Sequence, residues 1–217
     1  MQLRDIMTTD VVTITSNTPF TDIRDLMRDH NIERIPVVDK DKLVGLVTKE
    51  NLLRVGPSPA TSLSVWEINT LLSNLKAKDM MIKDIVTASA DMTVESAIAL
   101  AQGKKVGCLP VMENNKLVGI VTTNDFFLKI LNPLLGIGEP GTRIYLRNVA
   151  ETRDRQAIYE TIIEHGAKVI TSLYLTHPET GEKDLTIHLD IDDADALVKD
   201  LEALKYIVEV RERHPKK

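Results

Sequence analysis

Apolar and polar positions alternate along the chain in a way that predicts short strands and amphipathic helices. Residues 11–14 read as a short strand, and a helix is expected to follow, with Thr18 as its cap and Pro19 in its first turn. Residues 34–39 and 43–48 then predict two strands rich in β-branched side chains, and a second helix comes directly after them. The predicted order is therefore strand, helix, strand, strand, helix.

This order occurs twice, because one stretch of the sequence is repeated. Residues 32–55 read IERIPVVDKDKLVGLVTKENLLRV, and residues 106–129 read VGCLPVMENNKLVGIVTTNDFFLK. Pro36 aligns with Pro110, and the offset of 110 − 36 = 74 residues holds through both stretches without a gap. A repeat of this kind indicates two copies of one structural unit, so it decides how the neighbouring segments are interpreted.

The rest of the chain divides around the two repeats. Gly and Pro residues at 56–59 mark a break, residues 63–76 predict an amphipathic helix, and the stretch NPLLGIGEPG at 132–141 reads as a linker. The residues that follow predict the order βαββαβ of a ferredoxin-like split arrangement, in which alternation places His188 on the solvent side of a strand. The expected boundaries are a first repeat at 1–57, a connecting helix at 58–78, a second repeat at 79–131, a linker at 132–141 and a C-terminal domain at 142–213.

Composition argues against several classes of protein. The chain has 217 residues, of which 43% are hydrophobic and 27% are charged, as is ordinary for a globular protein. A net charge of −5 and an aromatic content of 4% argue against nucleic-acid binding, and no apolar run approaches the length of a membrane span. Cys108 is the single cysteine, so we expect an inert buried thiol and no disulfide framework. A cytoplasmic protein is the simplest interpretation.

A threonine followed three residues later by a polar side chain stands at the last strand-to-helix junction of each repeat. The pairs are Thr48 with Asn51 and Thr122 with Asp125. A hydroxyl beside the free N–H groups of a helix start suits a phosphate, and a carboxylate suits the two hydroxyls of a ribose. The alternative interpretation is that both threonines only cap their helices. The five histidines show no metal-ligand spacing and no catalytic triad is visible, so an enzyme is not expected.

The repeat resembles the cystathionine-β-synthase (CBS) domain, and the tandem resembles a CBS pair. The likeness is carried by IPVVD (35–39) with GLVTKEN (45–51), and by LPVM (109–112) with GIVTTND (119–125). The C-terminal βαββαβ order resembles an ACT domain. Together with SPATSLSVWEINTLLSNLK (58–76), the whole is similar to acetoin-utilisation accessory proteins. The resemblance implies an α+β fold, a tandem CBS pair of two βαββα repeats followed by a ferredoxin-like, ACT-like domain.

The resemblance also implies two clefts between the repeats that take adenosine nucleotides. The main cleft would be lined by Thr122 and Asp125 together with Met7, Val12, Ile32, Glu33 and Arg34. The weaker cleft would be lined by Thr48, Asn51, Met81, Val86, Val106 and Gly107. Asn51 lacks the charge of Asp125, and Cys108 stands where the main cleft has Arg34. We therefore expect one tight site per chain, built on Asp125.

The expected function is a regulatory module that senses AMP, ADP or ATP without a metal or other cofactor; NAD and S-adenosylmethionine stay open as ligands. Occupancy of the cleft would shift the packing of the repeats and bias the C-terminal domain or a protein partner, in acetoin or related carbon metabolism. The family resemblance implies a homodimer, with neither a nucleic acid nor a membrane as partner. The loop at 148–154 has no Gly or Pro, which argues against an amino-acid site there. The alternative function is a structural or dimerisation protein whose cleft has lost its ligand.

Overall fold

The structure is a computed structural model that describes residues 1–55, 64–149 and 152–211. The break predicted at residues 56–59 lies outside the described residues. The chain forms two compact units, Met1–Phe126 and Phe127–Lys217. The first unit therefore contains nearly all of both repeats.

The first unit repeats the predicted order of elements. The first repeat consists of a 3₁₀ turn (Leu3–Asp5), α1 (Phe20–Asp29), β1 (Arg34–Asp39), β2 (Lys42–Thr48) and α2 (Lys49–Val55). The connecting region forms α3 (Val65–Asn74) and α4 (Ala77–Met80), and the second repeat forms β3 (Ala88–Ser89), α5 (Val94–Lys104), β4 (Cys108–Glu113), β5 (Lys116–Thr122) and α6 (Thr123–Phe126). The strand predicted at 11–14 is reduced to a single bridge between Ile14 and Val37.

Each repeat contains an antiparallel hairpin closed by two residues in the left-handed backbone region. In the first hairpin Lys40 and Asp41 have φ angles of 48° and 64°, and the two asparagines at the equivalent positions of the second have 49° and 63°. Two successive positive φ angles match the right-handed twist of the flanking strands, as in a type I′ turn. The turn fixes a register in which Arg34 lies opposite Thr48.

Of two threonines near helix N-termini, Thr93 caps its helix and Thr18 does not. Thr93 caps α5, because its hydroxyl accepts a hydrogen bond from the Ser96 N–H at 3.3 Å. Thr18 does not cap α1 as expected. The helix begins after Pro19, and the Thr18 hydroxyl accepts instead from the Thr15 N–H at 3.0 Å. A threonine–proline pair is therefore not enough to locate the cap.

The core of the first repeat follows the predicted apolar positions. Its buried members are Ile14, Phe20, Ile23, Met27, Ile35, Val37, Val47, Leu52, Leu72, Ala77 and Met80. Leu72 joins this core from the connecting helix α3, whereas Trp66 on the same helix is 76% exposed. Of the apolar residues that predict an amphipathic helix here, Leu72 is therefore buried in this core, whereas Trp66 and Leu71 are exposed.

The second unit has a four-stranded antiparallel sheet and two longer helices. Its elements are a π-helical turn (Phe127–Leu131), α7 (Asn132–Leu134), β6 (Thr142–Arg147), α8 (Thr152–Glu164), β7 (Val169–Thr176), β8 (Lys183–Leu189), α9 (Asp195–Ala203) and β9 (Ile207–Arg211). From β6 onward the order is βαββαβ, as predicted, and the strands lie in the order β7-β8-β6-β9. Helices α8 and α9 contribute Ile158, Ile162, Leu197 and Leu201 to a core with the buried residues of β6 and β8.

One prediction for this unit, the solvent exposure of His188, is wrong in detail. Residues 132–141, which the sequence predicts as a linker, begin with the short helix α7. His188 is only 3% exposed, because the segment after α7 covers it: a Cβ added to Gly136 would lie 2.3 Å from His188 Nδ1. Arg143 also donates a 2.6 Å hydrogen bond to the Leu135 carbonyl. Tertiary packing therefore buries a position that strand alternation assigns to solvent.

Candidate functional site

Each repeat contributes the segment before its first helix to the other repeat. Thr8 and Ile120 exchange two backbone hydrogen bonds of 3.0 Å, and Ile82 and Leu46 exchange two of 2.9 Å. The two exchanges are equivalent under the 74-residue offset, since 8 + 74 = 82 and 46 + 74 = 120. The repeats are thus joined by pairing of main chain, in addition to side-chain packing.

This exchange creates two clefts, one at each of the threonine junctions. Cleft 1 lies between the Thr48–Asn51 junction and residues 82–86. The 74-residue offset gives the equivalent position in the second repeat, which we call cleft 2, between the Thr122–Asp125 junction and residues 7–12. Bridges at Leu46 and at Ile120 hold the two donated segments against strands β2 and β5, which lead into the junctions.

At the cleft 1 junction, Thr48 and Asn51 bind each other. The Thr48 N–H and hydroxyl donate to Asn51 Oδ1 at 3.0 and 2.8 Å, and the Asn51 N–H donates back to the Thr48 hydroxyl at 3.2 Å. This reciprocal pattern is a capping box, which satisfies groups at the start of α2. The capping role that we considered as the alternative interpretation is therefore present. It also fixes both side chains at the edge of the cleft.

The cleft 2 junction has the same geometry with a carboxylate in place of the amide. The Thr122 N–H and hydroxyl donate to Asp125 Oδ2 at 2.8 and 2.7 Å, and the Asp125 N–H donates to the Thr122 hydroxyl at 3.4 Å. The two junctions therefore differ in charge and in the type of polar group, while their backbone geometry is shared.

Cleft 1 is an open cavity with a volume of about 680 Å³. Its lining includes Thr48, Asn51, Val86, Val106 and Gly107. The sequence assigned these five residues and Met81 to this cleft, and Met81 does not line the cavity. Further lining residues are Leu46, Lys49, Glu50, Leu53, Arg54, Ile82, Asp84, Ile85 and Lys105. The cavity is thus formed by both repeats, as expected for a shared cleft.

Arg34, which the sequence assigned to the Asp125 cleft, lines cleft 1. It lies opposite Thr48 in the β1–β2 hairpin, and side chains of directly paired residues point to the same face. Its guanidinium extends across to the second repeat, where a Cβ added to Gly107 would lie 2.7 Å from Nη2. Gly107 therefore leaves the space that the guanidinium occupies.

Two other residues assigned to the Asp125 cleft, Glu33 and Ile32, have contacts within the first repeat. Glu33 lines cleft 1 and forms a 3.4 Å ion pair with Lys49. Ile32 packs against the core of the first repeat. Both residues precede β1, and the Glu33 carbonyl accepts a 2.8 Å hydrogen bond from the Lys49 N–H at the start of α2.

Met7 and Met81 occupy equivalent positions in the two repeats, and each packs against a glycine of the other repeat. Met7 lies against Gly119, and Met81 lies against Gly45; an added Cβ would meet their Sδ atoms at 2.5 and 2.3 Å. Met7 therefore packs on strand β5, and Met81 packs on β2 and is absent from the cavity wall. Val12 is half-buried in the segment donated to cleft 2.

Cys108 lies in a small apolar core between the repeats, as expected for a buried thiol. The buried members of this core are Leu46, Cys108 and Ile120, with Val11 and Ile85 packed against them. Burial raises the pKa of the Cys108 thiol, and the nearby Arg34 guanidinium opposes this shift. The side chain also reaches the wall of cleft 1.

Sequence reasoning missed three cations on the wall of cleft 1. They are Lys49, Arg54 and Lys105. Arg54 could have been found, because it lies three residues after Asn51 and therefore shares a face of helix α2. Lys105 could not have been found from the sequence, because its place on this wall depends on a left-handed backbone conformation (φ 54°) at the end of α5.

Two other kinds of site are absent from the part of the chain that the structure describes. No group of three or more His, Cys, Asp or Glu side chains is arranged to hold a metal ion there. None of the described helices is long and apolar enough to cross a membrane.

Comparison with known proteins identifies the class of these repeats. The profile of the CBS domain matches residues 3–58 and 77–132, which together make up more than half of the chain. The chain therefore belongs to the CBS domain family and carries two copies of the domain.

Curated relatives share this region within different proteins. Inosine-5′-monophosphate dehydrogenase of Thermoplasma acidophilum is 32% identical over 125 residues, which cover 57% of this chain and 22% of the enzyme. The CBS domain-containing protein YhcV of Bacillus subtilis is 29% identical over 123 residues, which cover 57% of this chain and 81% of that protein. This chain thus spans about a fifth of the dehydrogenase it matches.

Solved structures show the same fold over the repeat region. A putative acetoin utilization protein from Vibrio cholerae is 27% identical with a TM-score of 0.52, covering 64% of this chain and 98% of that chain. CBSX2, solved in complex with AMP, is 25% identical with a TM-score of 0.51, covering 60% of this chain and 97% of that chain.

Proposed function

We propose that this CBS pair is a non-catalytic regulatory module that binds an adenosine nucleotide, AMP, ADP or ATP, between its repeats. The observation that carries the proposal is the Arg34 guanidinium on the wall of cleft 1, which has no acidic partner within the described residues. A guanidinium fork matches the oxygens of a phosphate, and the cavity has the size of a small-molecule site. The similarity to CBSX2, solved with AMP, supports the same ligand class.

The walls of cleft 1 supply a distinct group for each part of a nucleotide. Arg34 provides donors for phosphate oxygens, and Asn51 provides its side-chain NH2 group for the ribose, while the Thr48 hydroxyl donates its proton to Asn51 Oδ1. Ile82 and Ile85 provide apolar surface for the adenine ring. All of these residues line the same cavity and they come from both repeats, so a single ligand would contact both.

Cleft 2 is proposed as a second site of different chemistry. It keeps the carboxylate that suits a ribose, with Thr122, Asp125, Met7 and Val12 as its proposed lining. Ile32, Glu33 and Arg34 stay predicted members of this lining, and Arg34 also lines cleft 1. Asp125 therefore stays the proposed centre of this site, and cleft 1 is the other candidate site.

The output of ligand binding is proposed to be a change in how the two repeats pack. This change would act on the C-terminal unit or on a protein partner in the cytoplasm. The likeness to an acetoin utilization protein supports a place in acetoin or related carbon metabolism.

The βαββαβ unit is proposed to be a ferredoxin-like, ACT-like domain that helps to form a homodimer. Its edge strands expose apolar side chains: Ile170 is 36% exposed, Leu175 56% and Ile207 62%. Exposed apolar edges of a sheet favour association with another chain. Light scattering should give twice the chain mass at micromolar concentration, and a monomer would reject the dimer.

A thermal-shift panel tests the nucleotide proposal. AMP, ADP, ATP, NAD and S-adenosylmethionine are compared with cytidine nucleotides as controls. A ligand at 100 times its Kd stabilises the folded state by about 2.7 kcal/mol, which is a readily measured rise in melting temperature. A response to adenosine nucleotides and not to the cytidine controls is expected. The absence of any response to all five ligands would reject the proposal.

One observation favours a second function, that of a structural protein with a vestigial cleft. Thr48 and Asn51 satisfy each other in a capping box, so the junction is complete without a ligand. In that case the cleft residues would affect stability alone. The same panel separates the two functions, because only a sensor responds to nucleotides.

A further inference from the structure

Arg34 and its repeat equivalent, Cys108, both line cleft 1. We propose that Arg34 is a phosphate-binding residue shared by clefts 1 and 2, so that one chain holds one phosphorylated nucleotide at a time. This inference rests on the proposed function, because it assumes that adenosine nucleotides bind in these clefts. It goes further in naming the residue that limits the number of bound phosphates.

The 74-residue offset relates the linings of the two clefts. It maps the segment that leads into β1, residues 31–34, onto the segment that leads into β4, residues 105–108. Cleft 1 is lined by residues 33–34 and by residues 105–108. Exchanging the repeats turns this set into residues 107–108 and 31–34, so the same two lead-in segments are expected to line cleft 2. Arg34 is therefore expected at the boundary of both clefts.

Only one of the two equivalent positions at this boundary carries a guanidinium, since the other is Cys108. The Arg34 guanidinium reaches the lead-in segment of the other repeat, where a Cβ added to Gly107 would lie 2.7 Å from Nη2 and 3.3 Å from Cζ. Burial raises the pKa of the Cys108 thiol, and Arg34 opposes this shift, so the charge of Arg34 acts at the equivalent position as well. Arg34 is half-buried and pairs with no carboxylate among the described residues, so its charge is available to a ligand.

Each lead-in segment is bonded to the junction of its own repeat. The Lys49 N–H donates to the Glu33 carbonyl at 2.8 Å, and the Thr123 N–H donates to the Gly107 carbonyl at 3.2 Å. Lys49 and Thr123 are the first residues of α2 and α6. Arg34 follows Glu33 in the chain and its guanidinium packs on Gly107. The same guanidinium therefore lies beside the peptide groups that anchor both junctions.

The other cations of cleft 1 do not replace Arg34. Lys49 is paired with Glu33 at 3.4 Å. Arg54 and Lys105 are exposed, and the wall has two exposed acids that match them in number, Glu50 and Asp84. Exposed charges are screened by solvent and salt, whereas a half-buried guanidinium is screened less. Arg34 is therefore the cation that contributes most to phosphate binding.

One guanidinium does not serve two phosphates equally. A phosphate monoester carries a charge of about −1.5 to −2 at neutral pH. Two such groups on one guanidinium would repel each other across a few ångströms while sharing a single positive charge. The first phosphate is expected to take the bidentate fork of the arginine. A second nucleotide should then bind about tenfold more weakly or worse.

Isothermal titration of the full chain with AMP, ADP and ATP tests the sharing. One nucleotide per chain is expected, with any second one weaker by about tenfold or more. Arg34→Gln should weaken the first nucleotide about ten- to a hundredfold, the effect of losing a charged hydrogen bond. Arg28→Gln, an exposed arginine that pairs with Asp25 outside both clefts, is the matched control and should leave binding unchanged.

Two variants that each fill one cleft distinguish a shared arginine from one that serves a single cleft. Val86 lines cleft 1, and Val12 is its equivalent beside cleft 2, since 12 + 74 = 86. Both side chains are half-buried, so a tryptophan at either position fills the adjoining cleft. In Val86→Trp and in Val12→Trp, one nucleotide per chain should still bind in the cleft that stays open. Arg34→Gln should weaken that nucleotide in both backgrounds.

The stoichiometry of the unaltered protein does not depend on how the variants fold. Two nucleotides bound per chain with equal affinity would overturn the sharing and leave the nucleotide function intact. Loss of binding in only one of the two folded tryptophan variants, or dependence on Arg34 in only one of them, would do the same. Failure of all three nucleotides to bind would overturn the proposed function and the sharing together.

Discussion

The close packing of Gly119 against the donated N-terminal segment gives a sharp test of how the repeats are joined. In a Gly119→Ala variant, the new Cβ would lie 2.5 Å from Met7 Sδ and 3.1 Å from the Thr8 backbone oxygen. The methionine side chain can rotate away, but the Thr8 carbonyl can move only with its backbone. That carbonyl accepts a 3.0 Å hydrogen bond from the Ile120 N–H, so its retreat weakens the pairing that joins the repeats.

The size of the effect follows from this geometry. Adding a methyl group to a packed interior typically costs about 1–3 kcal/mol. With a urea m-value of about 2 kcal/mol/M, the unfolding midpoint of the first unit should fall by roughly 0.5–1.5 M. Gly103→Ala is the matched control, because a Cβ there meets nothing within 4 Å and the residue lies in helix α5. It should raise the stability by about 0.5–1 kcal/mol, since alanine favours the helix.

Urea unfolding followed by far-UV circular dichroism measures both midpoints, and hydrogen exchange locates the change. The amides of Thr8 and Ile120 should exchange faster in Gly119→Ala and should be unchanged in Gly103→Ala. An unaltered midpoint and unaltered exchange at these amides in Gly119→Ala would refute the conclusion that strand exchange through Thr8 joins the repeats.

Two further predictions concern stability. Tyr145 donates a hydrogen bond to Asp184, which lowers the pKa of that carboxyl. The stability that this hydrogen bond contributes is therefore present above the ordinary Asp pKa near 4 and is lost as pH falls through the lowered pKa. Tyr145→Phe should destabilise the second unit at pH 7 and much less at pH 2, and an equal loss at both pH values in urea titrations would contradict this prediction. Thr93→Ala removes the cap of α5 and should cost about 1 kcal/mol in the same assay, whereas Thr93→Ser should cost little, and equal losses in the two variants would show that the hydroxyl is not responsible.

The local elements of this protein were largely determined by the sequence alone. The 74-residue repeat, the hairpins with paired left-handed residues and the βαββαβ order all follow from short-range patterns, because turn chemistry and side-chain periodicity act over a few residues. The match of the CBS profile to residues 3–58 and 77–132 confirms the predicted pair. The junctions at Thr48 and Thr122 were predictable for the same reason, since a capping box needs only four consecutive residues.

Tertiary structure alone decided which residues share a cleft. Sequence reasoning did not assign Arg34 to cleft 1, where the register of the β1–β2 hairpin places it opposite Thr48 and Gly107 of the other repeat leaves room for its guanidinium. The burial of His188 was likewise set by the segment around Gly136, which lies far from it in sequence. Both outcomes depend on contacts between distant segments, and hydrophobic periodicity within one element carries no information about them. The set of residues that lines cleft 1 was therefore decided only when the two repeats came together.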